Sequence, residues 1–352
     1  MVTVTKVLSS RHVYAVRYRS ASVVVNIKNA SVAGLMFLAV FALALFALTV
    51  GKLPFTVTQV IELLLSPQSA ESGFQTKILW DIRLPRVLTA VFAGAALGIA
   101  GSIFQSISRN PLGSPDIIGF TSGAAAGALI QIIYFGGGSI QVAIGAIVGG
   151  VVTAAIVLVL SYQGGTIKRQ NLVLTGIGVG AILSAFNGLL LVKGEIDNAI
   201  SANLWLAGSL HARTWEHALP VIIGVAILLP VAKLFSTAIA ALEVGELRAQ
   251  SIGVRVLKLR LILTLLGVSL AALATASTGP IAFIALAAPQ LAVRLRCTAN
   301  LPIFSSALMG ALILLIADVA TQLIPFDINL PIGRVCGIIG GFYLLWLLTR
   351  SR

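Results

Sequence analysis

The sequence predicts an all-α, polytopic membrane protein of about ten transmembrane helices. Charged residues make up only 10% of the chain against 58% hydrophobic, whereas a soluble domain carries about 25% charge. Apolar runs of about twenty residues, the length a helix needs to cross a roughly 30 Å hydrocarbon layer, recur from Val32 almost to the C-terminal end. These runs are dense in small residues, as at Ala93, Gly94, Ala95, Ala96, Gly98, Ala100 and Gly101. Small side chains let helix backbones approach closely in lipid, so the helices form a packed bundle.

Taken in order, the first run, Val32–Val50, follows the basic residues Arg17, Arg19 and Lys28. Its apolar core exceeds the roughly 7–15 residues of a cleaved signal, and further spans follow, so it reads as a retained helix. The remaining spans are placed by apolar length between breakers: Arg86–Ile107, Ile118–Phe135, Gln141–Tyr162, Leu172–Val192, His217–Phe235, Val256–Ala274, Pro280–Val293, Ile303–Ile324 and Pro331–Leu348. The eighth is short and carries Pro289, which marks it as a broken or partial span.

The net charge of +13 does not form a nucleic-acid-binding stripe, because Lys and Arg fall between apolar runs and at the chain ends. With the N-terminus inside, seventeen of the 24 basic residues lie in inner segments, which predicts both termini in the cytoplasm. Residues 1–30 read as a cytoplasmic tail and 31–352 as one transmembrane domain. Cys297 and Cys336 read as packing residues, and His12, His211 and His217 lack the spacing of a metal site.

Asp318 is the one clear acid inside a predicted span. A charge at the bilayer centre costs about 2.5–3.5 kcal/mol, so this carboxylate serves either a structural interhelical hydrogen bond or transport itself. The chain contains no phosphate-cradling Gly-x-x-x-x-Gly-Lys-Ser/Thr string, so energy for active transport would come from another chain. Between the sixth and seventh spans, Leu242 to Gly253 reads as a short amphipathic helix, with Leu242, Leu247 and Ile252 apolar and Glu243, Glu246, Arg248 and Gln250 polar. It would seat on a soluble partner or lie on lipid.

Several strings then resemble the FecCD type, the permease subunits of ABC importers for iron–siderophore complexes and vitamin B12. They are Arg83-Leu-Pro-Arg86, Gly101 through Gly119 with Asn110-Pro-Leu112 inside it, Trp205–Leu210, Gly245–Gly253, Gly279-Pro-Ile-Ala-Phe283 and Leu330-Pro-Ile-Gly333, in the family's order from about Val32 onward. The resemblance implies a type II ABC importer permease fold. It also implies a coupling helix seated on the ATPase at Gly245, Glu246, Ala249, Ile252 and Gly253, within a loop of about 238–255. Arg83 and Arg86 would meet acidic residues of a substrate-binding protein outside, and Asn110, Pro111 and Leu112 would lie near the inner gate. Where the family shows Gly-Leu-x-x-Pro-His, this chain has Ala285-Leu-Ala-Ala-Pro-Gln290.

The expected assembly is this permease with a second copy or a paralogue, two cytoplasmic ATPase subunits and a substrate-binding protein, all embedded in or docked on lipid, with no cofactor. The expected cargo is a ferric siderophore, closest in appearance to the catecholate branch such as ferric enterobactin; vitamin B12 and haem stay open. An ion-coupled secondary transporter would instead need coupling-ion ligands in its spans, and a channel or scaffold would need no partner ATPase.

Overall fold

The computed structural model describes residues 2–6, 13–18, 21–65, 73–296, 302–324 and 330–350. His12 and Cys297, singled out in the sequence, lie outside these residues. Near the N-terminus three strands, β1 (Val2–Lys6), β2 (Val13–Tyr18) and β3 (Ala21–Asn26), form an antiparallel sheet with Val2 opposite Tyr18 and Val13 opposite Asn26. In β1, Val2-Thr-Val-Thr-Lys6 alternates apolar and polar residues with the period of a strand. β3 runs directly into α1 (Ile27–Thr49), so the first helix begins ahead of the predicted tail boundary at residue 30.

A short α2 (Val57–Leu65) follows, then α3 (Gly73–Lys77), which continues through a π-helical turn, Ile78–Arg83, into α4 (Leu84–Ser108). The second predicted span is therefore the C-terminal part of a longer helical rod, Gly73–Ser108. A 3-10 turn, Pro115–Ile118, leads through Gly119, at φ 69°, into α5 (Phe120–Tyr134) and then α6 (Ser139–Ser161). A two-stranded hairpin, β4 (Tyr162–Gln163) and β5 (Thr166–Ile167), connects α6 to α7 (Arg169–Lys193).

Next come α8 (Ile196–Leu206), α9 (Trp215–Leu234), α10 (Ser236–Val244), α11 (Glu246–Ser251) and α12 (Val256–Thr278). The chain closes with α13 (Ile284–Arg296), α14 (Ile303–Leu323) and α15 (Ile332–Arg350). Each of the ten predicted spans coincides with one of these helices, give or take a few residues. The eighth starts later than predicted because Gly279 and Phe283 take φ 74° and 79°, which delays helical geometry until Ile284; Pro289 sits inside the helix without ending it. Among the described residues seven helical segments are long and apolar enough to cross a membrane, and α5 and Ile332–Tyr343 of α15 are shorter apolar helices.

The core is built around α4, which is buried along most of its length and packs on α1, α9, α12, α13 and α14. The small residues make this possible. A Cβ at Gly94 would stand 2.4 Å from the Gly310 carbonyl oxygen, and one at Gly98 would stand 2.1 Å from that of Ser306, so α4 and α14 touch backbone to backbone. Glycines do the same between α5 and α6, where Gly127 meets Gly145.

Candidate functional site

One end of the bundle gathers the segment between α9 and α12. Gly245, at φ 145° and ψ 146°, occupies a region open essentially to glycine, and it breaks the predicted single amphipathic helix into α10 and α11. The break changes which residues face outward. Leu242 and Ala249 are fully buried and pack with Val256, while Val244, Leu247 and Ile252 are exposed. Ala249 is thus an internal packing residue rather than part of a free face, and Leu242 does not share a surface with Leu247.

Both acids of this segment bond to helices of the bundle. Glu243 Oε1 accepts a 2.8 Å hydrogen bond from Ser106 Oγ of α4, and Glu246 Oε1 accepts one of 2.6 Å from Arg260 of α12. The Arg260 side chain is only 2% exposed, and its other terminal nitrogen donates to the Ile167 carbonyl of β5. In the sequence Glu243 reads only as part of a polar helix face, and nothing marks Ser106 as its partner in the fold or Arg260 as that of Glu246. Arg260 reads there as one more orienting basic residue, two positions after Lys258 in Val256–Leu263.

At the end of α4, Arg109 is left-handed at φ 45°, and Asn110, Pro111 and Leu112 form an exposed turn. Asn110 Oδ1 accepts from the Leu112 amide at 3.0 Å, and the Asn110 carbonyl accepts from Gly113 at 2.9 Å, so the asparagine organises its own turn. One helical turn earlier, Gln105 Nε2 donates to the Leu286 carbonyl at 3.0 Å, and Gln290 Nε2 donates to Gln105 Oε1 at 2.6 Å. Where the family pattern has histidine, this chain therefore joins α13 to α4 through an amide pair.

Three of the remaining strings meet elsewhere. Gly208, Gly279 and Gly333 come together backbone to backbone: a Cβ on Gly208 would lie 2.4 Å from the Pro280 oxygen, and one on Gly333 would lie 2.5 Å from the Ala207 oxygen. The Ser209 amide donates to the Thr278 carbonyl at 2.8 Å. Arg213 Nε donates to the Ser209 carbonyl at 2.9 Å. Burial lowers that guanidinium to about 10, so it is cationic at neutral pH and helps pin the connection after α8.

This junction forms one wall of a half-open cavity of about 450 Å³. Asp116, Ser122 and Asn203 line the rest, and Arg334 from the first turn of α15 reaches the same space. Asp116 accepts hydrogen bonds from Thr121 and Ser114, and Asn187 of α7 donates to the Ser122 carbonyl at 3.0 Å. The cavity is mixed in character, with a carboxylate, a guanidinium, an amide and hydroxyls on a wall otherwise formed by Leu206, Ala207, Pro280, Ile281, Ala282 and Gly333.

Arg83 and Arg86 lie at the end of α4 remote from Arg109, and neither offers a free outward charge. The Arg83 side chain turns in under α1, donating to the Leu48 carbonyl at 2.7 Å and to the Leu53 carbonyl, with its guanidinium 4.3 Å above the Phe55 ring. Arg86 pairs with Asp318 of α14 at 2.8 Å, and that carboxylate, itself fully buried, also accepts from Gln322 at 2.8 Å. Both arginines, expected as outward charges for a substrate-binding protein, close intramolecular contacts in this geometry. Asp318 is an interhelical ion-pair partner in this geometry.

Comparison with known proteins bears on the whole arrangement. The FecCD transport family profile matches residues 37–350. The ferric enterobactin transport system permease protein FepG of Escherichia coli K12 is 44% identical over 78% of this chain and 83% of its own length. The achromobactin transport system permease protein CbrC of Dickeya dadantii is 34% identical over 97% of both chains, and the hemin transport system permease protein HmuU of Yersinia pestis is 34% identical over 78% of this chain and 84% of its own. A solved structure described as an inward-facing conformation of a metal-chelate type ABC transporter superposes with a TM-score of 0.81 at 26% identity, covering 91% of this chain and 99% of that one. Polytopic helical packing, the ordered strings and a match along nearly the full length agree: the chain belongs to the FecCD transport family, the multi-pass permease subunits of ABC importers, whose ATPase activity resides in a partner chain.

Proposed function

We propose that this chain is the membrane permease of a ferric-siderophore importer, carrying a catecholate complex such as ferric enterobactin through the cytoplasmic membrane. The observation that carries the reading is the convergence of the strings Ser114–Gly119, Trp205–Leu210, Gly279–Phe283 and Leu330–Gly333 on one cavity of mixed polarity. A cavity of about 450 Å³ open on one side is half of a path, and a second permease, a copy or a paralogue, closes it. The likeness to the Escherichia coli permease supports enterobactin over achromobactin and haem as cargo.

The test is uptake of iron-labelled ferric enterobactin, ferric citrate and haem into proteoliposomes containing the permease with its cognate ATPase and binding protein. Ferric enterobactin is expected to be taken up fastest, and Arg334→Glu to slow it by about tenfold without loss of assembly. A tenfold change corresponds to about 1.4 kcal/mol, the scale of one lost charge-assisted contact. Faster uptake of haem or citrate would overturn the cargo.

In this reading both termini, residues 1–26, the turn at Asn110–Leu112 and the segment Ser236–Gly253 face the cytoplasm. ATP binding closes two ATPase subunits, and the segment transmits the motion as a rigid body so that the bundle alternates between outward- and inward-open states. Val244, Leu247 and Ile252 supply the exposed apolar face for the ATPase, while Gly245, Glu246, Ala249 and Gly253 shape and seat it. Leu247→Asp is expected to release the ATPase on co-purification while the permease stays inserted; Ala249→Trp is expected to lower permease yield, because added volume has no room beside Leu242 and Val256. A cysteine at position 247 that reacts with impermeant reagent from outside intact cells would reverse the orientation. Arg83 and Arg86 serve the binding protein indirectly, by fixing the outer ends of α1, α4 and α14.

A further inference from the structure

We infer that Arg260 is a positioning residue that carries motion of the coupling segment into the cavity wall; this deepens the reading above and rests on it. Arg260 is almost fully buried, yet each of its two terminal nitrogens reaches a different element of the inner end. One holds Glu246, the first residue of α11, at 2.6 Å. The other holds the carbonyl of Ile167, itself buried, at the root of α7. A planar guanidinium with donors fixed in a fork ties both elements rigidly, which a single-point ammonium cannot do.

From Ile167 the contact continues along α7. A Cβ on Gly176 would stand 2.0 Å from the Ile117 carbonyl oxygen, so α7 rests directly on the 3-10 turn that presents Asp116. Farther along, Asn187 holds the Ser122 carbonyl at 3.0 Å. Asp116 and Ser122 both line the cavity. The second acid of the segment, Glu243, accepts a hydrogen bond from Ser106 of α4. Displacement of α11 is therefore passed to the cavity wall through Arg260, Ile167 and α7 as one packed series of contacts.

Spatial continuity does not by itself establish coupling, so the test measures it. In a Cys297→Ser/Cys336→Ser background, spin labels are placed at Gln163→Cys in β4 and Gln250→Cys in α11, both exposed, and their separation is read by pulsed electron resonance in the full transporter with and without trapped ATP. The separation is expected to stay narrow and unchanged through the cycle. With Arg260→Met it is expected to broaden or shift on ATP trapping, and ferric enterobactin imported per ATP hydrolysed is expected to fall about tenfold, within the range by which such residues alter coupling. Arg260→Lys, which keeps a charge for Glu246 but lacks the fork, is expected to lie between. Should Arg260→Met fail to reach the membrane, Glu246→Gln leaves the bond to Ile167 in place and is expected to move both readouts in the same direction. Unchanged separation and unchanged stoichiometry in the variants overturn the inference. If wild type imports no ferric enterobactin, the cargo reading fails, and the label separation still decides the role of Arg260.

Discussion

Asp318→Ala is expected to reduce the amount of folded permease in the membrane severely. The carboxylate is fully buried and accepts from Arg86 Nη2 at 2.8 Å, from Arg86 Nε at 3.1 Å and from Gln322 at 2.8 Å. Removing it leaves the Arg86 guanidinium, whose side chain is 22% exposed, facing an apolar gap between α4 and α14. Breaking one side of such a pair costs about 3–5 kcal/mol, because an uncompensated charge is left behind, whereas replacing both partners by apolar groups of similar size is often close to neutral. The double variant Arg86→Met with Asp318→Leu is accordingly expected to regain most of the inserted yield and melting temperature in detergent, and to regain ATP-dependent uptake with them. Uptake is the discriminating measurement. If the double variant inserts and melts like wild type but does not transport, the carboxylate takes part in transport beyond joining two helices.

The same pair shows where sequence reasoning reaches and where it stops. The helices themselves are legible because lipid imposes length: a run of about twenty apolar residues must satisfy its own backbone, and a helix does so. Gly94 and Gly98 announce close packing through their size alone. The partners do not announce themselves. Arg86 finds Asp318 at a separation of 232 residues, and Arg83 finds Leu48 at 35, so position at the end of an apolar run marks both arginines as outward-facing when the fold turns them in. The segment after α9 fails for a local reason. Its spacing is helical on both sides of Gly245, and the φ of 145° at that residue separates a buried Leu242 from an exposed Leu247. The cavity is legible as a set of strings but not as a place, since its wall comes from α5, α8, α15 and the connections after α4 and α12, brought together only by packing.

Gly98→Ala, a change of one methyl group, is expected to destabilise the permease, while the same change at Gly34 is expected to stabilise it slightly. At Gly98 the new Cβ would lie 2.1 Å from the Ser306 carbonyl oxygen and 2.8 Å from its carbon, atoms of backbone that no rotamer change can move aside. The helices must separate, and overpacking of this kind costs about 1–3 kcal/mol. Gly34 lies exposed on α1 with nothing within 4 Å of a Cβ, so alanine there only removes the conformational freedom of glycine in a helix, worth about 0.5–1 kcal/mol. Melting temperatures of the two variants in detergent, moving in opposite directions from wild type, would establish the contact; a Gly98→Ala protein that melts with Gly34→Ala would refute it. Gly98 stands twelve residues from Arg86, and Ser306 twelve from Asp318, about 18 Å along each helix. That exceeds the roughly 7–10 Å over which substitutions couple, so the losses of Gly98→Ala and Asp318→Ala are expected to add in the double variant, and a loss smaller than their sum would show that spreading the helices at Gly98 reaches the ion pair.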